Sequence, residues 1–85
     1  MEIAVYDTYV KRKDGRIMHF DIIVEKNTPY EKVIAYGNEY LKTKGEEGQE
    51  LSSNECKFCH IEKASKDIEE KIKNKGYYIY EMENC

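Results

Sequence analysis

The stretch Glu55-Cys56-Lys57-Phe58-Cys59-His60 gathers two of the three cysteines and one of the two histidines into six residues. Thiolates and imidazoles are the usual tetrahedral ligands of zinc, and Cys-x-x-Cys is a common half-site. A histidine directly after the pair also gives the spacing of haem c attachment. A thiol pair beside an imidazole is, in addition, a setting that lowers a thiol pKa and supports redox exchange. Each reading meets an objection. Zinc needs a second half-site, and only His19 and Cys85 remain among the cysteines and histidines, without the spacing of a pair. Redox motifs sit at a helix N-terminus just after a strand, whereas the next helix start here is near Ser65. Haem c attachment needs export, and the N-terminus carries no leader pattern. The preferred reading is that Cys56, Phe58 and Cys59 are strand residues packed in a sheet, since free cysteine behaves as a small buried hydrophobe. Zinc or thiol-redox use of Cys56, Cys59 and His60 stands as the alternative.

A second group comes from the N-terminal third. Ile3 to Val10 and Ile17 to Val24 are rich in β-branched and tyrosyl residues, and Lys13-Asp14-Gly15-Arg16 lies between them. Asp-Gly there signals a two-residue type I′ hairpin turn. That turn pairs Val10 with His19, Tyr9 with Phe20 and Thr8 with Asp21. Alternation then puts Val5, Asp7, Tyr9, Met18, Phe20, Ile22 and Val24 on a core face. Tyr6, Thr8, His19 and Asp21 gather on the other face, with Val10, Ile17 and Ile23. A histidine beside a carboxylate and a phenol serves as acid, base or ligand anchor. The competing and preferred account is a satisfied polar patch of ordinary cross-strand pairs. A three-residue loop would shift the pairing by one and break the group apart.

These groups have to be positioned by the remaining elements. Thr28-Pro29-Tyr30-Glu31 predicts a helix start, with Thr28 as N-cap, Pro29 at the first helical position and Glu31 completing a capping box. That helix runs to about Lys44, presents Val33, Ile34, Gly37, Tyr40 and Leu41 as one stripe, and ends at Gly45. Ser65 predicts a second N-cap, with Asp67, Glu69 and Glu70 early and Lys71, Lys73 and Lys75 late, as the macrodipole favours. Gly76 ends this helix, and Tyr77 to Met82 reads as a last strand. Between the helices, Ser52-Ser53-Asn54-Glu55 offers a helical capping box, but Cys56 to Ile61 suits a strand by composition. The expected fold is thus a single α/β domain over residues 1–85, ordered β-β-α-β-α-β. Helical crossovers predict a mixed, partly parallel four-stranded sheet with both helices on one face.

Bulk composition narrows the function classes. A chain of 85 residues is one domain, and folding buries only about 60% of the surface that the unfolded chain exposes. With 40% hydrophobic and 36% charged residues it is unlike a disordered chain. The net charge is −3 and the only basic run is Lys11-Arg12-Lys13, so a phosphate-tracking nucleic-acid surface is excluded. No segment reaches the roughly 20 apolar residues of a membrane span. These features predict a cytoplasmic protein with its cysteines as thiols. Eight tyrosines are too many for so small a core, and a homodimer through a tyrosine-rich surface is the expected use of the surplus. No nucleophile-base pair, phosphate loop or paired-carboxylate motif argues for an enzyme.

The combination Tyr6-Asp7-Thr8-Tyr9-Val10, Asp14-Gly15, Met18-His19-Phe20-Asp21, Glu55-Cys56-x-Phe58-Cys59-His60, Gly76-Tyr77 and Met82-Glu83-x-Cys85 resembles a small bacterial family. It is known as domain of unknown function two thousand and twenty-four, and the resemblance spans nearly the whole chain. It implies a short cytosolic α/β protein and no reaction. Asn84 stands where the family's closing motif suggests glycine. The functional expectation is therefore a non-enzymatic binding or protein-interaction domain.

Overall fold

The Asp14-Gly15 turn does form, but over three residues rather than two. In the computed structural model, which describes residues 1–56 and 65–85, the Arg12 N–H donates to the Arg16 carbonyl at 2.7 Å and the Gly15 N–H to the Arg12 carbonyl at 2.9 Å. Gly15 takes φ +92°, a left-handed conformation that side chains resist. This is the three-residue hairpin with a glycine bulge, and it moves the register by one. Strands β1 (Ile3–Lys11) and β2 (Ile17–Glu25) therefore pair Asp7 with Asp21 and Tyr9 with His19.

The new register sorts the side chains differently. Tyr6, Val10, Met18, Phe20, Ile22 and Val24 share one face and are buried against Val33, Tyr40 and Leu41 of helix α1 (Tyr30–Thr43). Gly37 lets α1 come close: a Cβ there would lie 2.9 Å from Leu51 Cδ2 and 3.1 Å from Ile22 Cδ1. The predicted Thr28–Glu31 capping box does not form. The Thr28 hydroxyl instead donates to the Glu25 carbonyl at 2.6 Å, and Pro29 occupies the cap without a side-chain bond. At the other end, bonds from Gly45 N–H to the Lys42 carbonyl (3.2 Å) and from Glu46 N–H to the Leu41 carbonyl (2.9 Å) close the helix where expected.

Strand β3 (Leu51–Glu55) pairs with β1, and β4 (Tyr77–Glu83) with β2, giving the order β3-β1-β2-β4. The predicted β-β-α-β-α-β sequence of elements is observed. Every neighbouring pair is antiparallel, so the sheet is not mixed. The crossover through α1 returns in the same direction as β2 but not beside it, and the crossover through the second helix joins two strands, β3 and β4, that run in opposite directions. β2 and β3 both run antiparallel to β1, hence parallel to each other, but β1 lies between them. The third strand observed, Leu51–Glu55, precedes the predicted Cys56 to Ile61, of which only Cys56 is among the described residues. Ser53 is buried in it because its hydroxyl meets that of Thr8 at 2.9 Å, which satisfies both groups inside the sheet. The Cys56 N–H still donates to the Val5 carbonyl at 2.8 Å; the rest of the predicted strand lies outside the described residues.

Helix α2 (Lys66–Lys75) packs Ile68 and Ile72 on Val5, Ile23 and Tyr78, on the face opposite α1. The two helices thus do not share a face. The cause is again the register, which leaves the paired Val5 and Ile23 looking away from α1 and in need of their own cover. The predicted caps of α2 are present: Ser65 Oγ accepts from the Ile68 N–H at 3.3 Å, and Gly76 closes the C-terminus. Ser65→Ala is expected to cost about 1 kcal/mol, read as a lowered urea midpoint with an unchanged slope. Among the described residues no helix is long and apolar enough to cross a membrane.

Candidate functional site

Helix α2 covers only one end of its face. Beyond Val5 and Ile23 the same side of the sheet carries two cross-strand rows set by the register. Asn54, Asp7, Asp21 and Tyr80 form one, and Ser52, Tyr9, His19 and Glu83 the next. Tyr80 and Tyr9 are 52% and 45% exposed, and among the described residues no helix covers this half of the sheet.

Within it the polar groups converge. Asp7 and Asp21 are direct partners across the two central strands. His19, one step further along, brings Nε2 to 2.5 Å from Asp7 Oδ1. Its ring stacks on that of Tyr9, with centroids 4.2 Å apart and planes inclined by 9°, which fixes the imidazole plane. One donor atom each from Asp7, His19 and Asp21 lies within 4.8 Å of the other two. Asp21 is buried, and its Oδ1 has no hydrogen-bond partner among the described residues. Burial first, and then the neighbouring Asp7 carboxyl, push the Asp21 carboxyl up to about 6, against a smaller opposing pull from His19. Two carboxylates directly opposite on a sheet repel. A proton shared between them, or a cation set against them, relieves that repulsion.

Of the group predicted from sequence, His19 and Asp21 come together here. Tyr6 and Thr8 do not: they are buried on the α1 side, where the Thr8 hydroxyl donates to the Tyr6 carbonyl at 3.0 Å. Asp7 and Tyr9, which the two-residue turn assigned to the core, take their places. The pairing of hydrophobic residues could have exposed the error, because it left Val10 on the polar face while Met18, Phe20, Ile22 and Val24 faced the core. The thiol cluster is seen only in part. Cys56 is disulfide-bonded, contrary to the expectation of a thiol, and Cys59 and His60 lie outside the described residues. Cys85 is a free thiol whose Sγ is 3.5 Å from the His19 carbonyl oxygen, so it meets the backbone of His19 and not the ring.

The tyrosines do not form one surface. Tyr6, Tyr40 and Tyr77 are buried, whereas the exposed Tyr9 and Tyr80 lie on the open half-face and the exposed Tyr30 stands at the start of α1. A cavity of about 340 Å³ opens beside β4, lined by Tyr40, Lys44, Lys75 and Tyr77 among others. Its charges are largely spoken for. Lys44 Nζ lies 3.0 Å from Glu81, and Lys75 Nζ sits 4.8 Å from the Tyr77 ring centroid.

The family described as Domain of unknown function (DUF2024) matches residues 1–82. The chain is also similar to a Nitrosomonas europaea protein solved by NMR as a structural genomics target. The two are 49% identical, the alignment covers 100% of this chain and 99% of that one, and the TM-score is 0.78. No curated protein matches the chain.

Proposed function

We propose that this chain, which belongs to the DUF2024 family of domains of unknown function, is a non-enzymatic binding domain whose ligand seats on the open half of the sheet at Asp7, His19 and Asp21. One observation carries the reading: a buried carboxyl at the centre of the sheet has an oxygen without a partner among the described residues, beside a second carboxyl and an imidazole. Leaving a buried polar group unsatisfied costs on the order of 1–3 kcal/mol, and a ligand that donates to it recovers that cost. The ligand must therefore offer positive charge or hydrogen-bond donors, and Tyr9 and Tyr80 give it aromatic walls.

The check is an amide-shift titration of isotopically labelled protein in EDTA, using small guanidinium and primary-amine fragments as probes. Saturable shifts centred on residues 7, 9, 19, 21 and 80 are expected. Shifts centred on the lysine-lined cavity beside β4, or none at all, would remove the reading.

A further inference from the structure

We infer that Asp7, His19 and Asp21 together hold a divalent first-row transition-metal ion, of which zinc and manganese are the representative cases; this rests on the binding reading above and names its ligand. The donor set is two carboxylates and one imidazole, converging from the two central strands. Bonds of roughly 2.0–2.2 Å from nitrogen and oxygen to zinc set tetrahedral donors about 3.4 Å apart. The three donor atoms lie within 4.8 Å of each other, and an ion entering between them has to open the His19 Nε2–Asp7 Oδ1 contact from 2.5 Å toward that spacing.

The chemistry of the donors narrows the ion. Carboxylates alone suit magnesium, calcium and manganese, while imidazole suits zinc, iron, nickel and copper. A mixed O,O,N set without sulfur selects borderline divalent ions and disfavours copper(I) and iron–sulfur clusters. Three protein donors leave at least one position for water, as in open zinc sites. The side chains of Asp7 and His19 are 39% and 22% exposed, so an ion and its water have a way in.

Two further features fit a site built for an ion. The Asp21 carboxyl hydrogen-bonds with Asp7, but its Oδ1 has no partner among the described residues, although the residue is only 6% exposed. The ligands are also set on paired strands rather than loops, and the Tyr9 ring stacked on His19 fixes the imidazole orientation. Site precision depends on such support.

The test uses full-length protein purified without a histidine tag and stripped with EDTA. Zinc chloride is titrated by calorimetry, and manganese chloride is titrated while the broadening of amide signals is followed. One equivalent of each ion should bind, with broadening centred on residues 7, 19 and 21. Asp7→Asn and Asp21→Asn should each weaken binding by at least about tenfold, and Cys56→Ser should leave it unchanged. Binding weaker than about 1 mM, broadening centred on another region, or variants that bind like the wild type would overturn the assignment. The broadening map on the wild-type protein decides the question even where a variant fails to fold. If metal binding fails while the fragment shifts at these residues persist, the binding reading stands and only the metal assignment falls.

Discussion

Asp21→Asn is expected to stabilise the metal-free protein at pH 7.5 by about 2 kcal/mol, although it replaces a buried residue at the centre of the sheet. The Asp21 carboxyl is held up at about 6, against an ordinary 3.8, by burial and by Asp7. The folded state therefore keeps a proton that the unfolded chain has released between those two values. The stabilisation from that proton is complete below about pH 4 and is lost as pH rises through about 6. Each pK unit is worth about 1.4 kcal/mol, and water reaching the open half of the face reduces the full effect. An asparagine has no proton to lose, and its amide supplies a donor to the Asp7 carboxyl in place of that proton. Urea unfolding of both proteins in EDTA at pH 4, 5, 6 and 7.5 provides the check. The difference between them should open across that window in favour of the variant, and two parallel curves would show that Asp21 carries no such strain. Read with the metal titration, the result separates two roles. A residue kept for the fold weakens the protein when replaced, whereas a residue kept for a ligand strengthens it and loses the ligand.

Phe20→Ala should have the opposite sign and a larger size, about 3–5 kcal/mol of destabilisation. Phe20 has no exposed surface, and its ring lies 4.8 Å from that of Tyr40, where β2 meets α1. Truncation removes apolar burial and leaves a cavity that α1 closes only in part. For a domain of this size 1 kcal/mol shifts the melting temperature by about 4–8 °C, so a fall of 15 °C or more is expected in a calorimetric scan. A fall under about 5 °C would mean that α1 is not anchored by this ring. The side chain points to the face opposite the carboxyl cluster. At a temperature where the variant is folded, metal binding should therefore be retained.

The helices and three of their four ends were legible because their signals are local: Ser65 before Asp67 and Glu69, Gly45 and Gly76 after the last apolar turns, and Leu41 and Ile72 on their stripes. Half of the site was legible too, since His19 and Asp21 stood out as chemistry-bearing residues in an otherwise apolar strand, whereas Asp7 and Tyr9 did not. Its assembly was not. Asp-Gly serves two-residue and three-residue hairpins alike, and the choice depends on how the finished sheet is covered, which no short stretch encodes. One residue of register exchanged Tyr6 and Thr8 for Asp7 and Tyr9, and the same step put apolar residues on both faces and so sent the two helices to opposite sides. The polar strand Leu51–Glu55 was hidden for a related reason. Its stability comes from its neighbour, through the Thr8–Ser53 hydroxyl contact and pairing with β1, and not from its own composition. Asn84 illustrates the reverse case. It takes φ 57° where glycine was expected, and asparagine tolerates that conformation well enough to serve.

The outer strands of this sheet have a bearing on solubility. β3 is only five residues long, and β4 slips its pairing between His19 and Phe20, so that Glu81, Met82 and Glu83 follow a kinked, acidic margin. Short, kinked or charged margins make poor templates for the addition of another chain's strand. In a protein with eight tyrosines, such borders work alongside the burial of the strand interiors to disfavour edge-to-edge pairing.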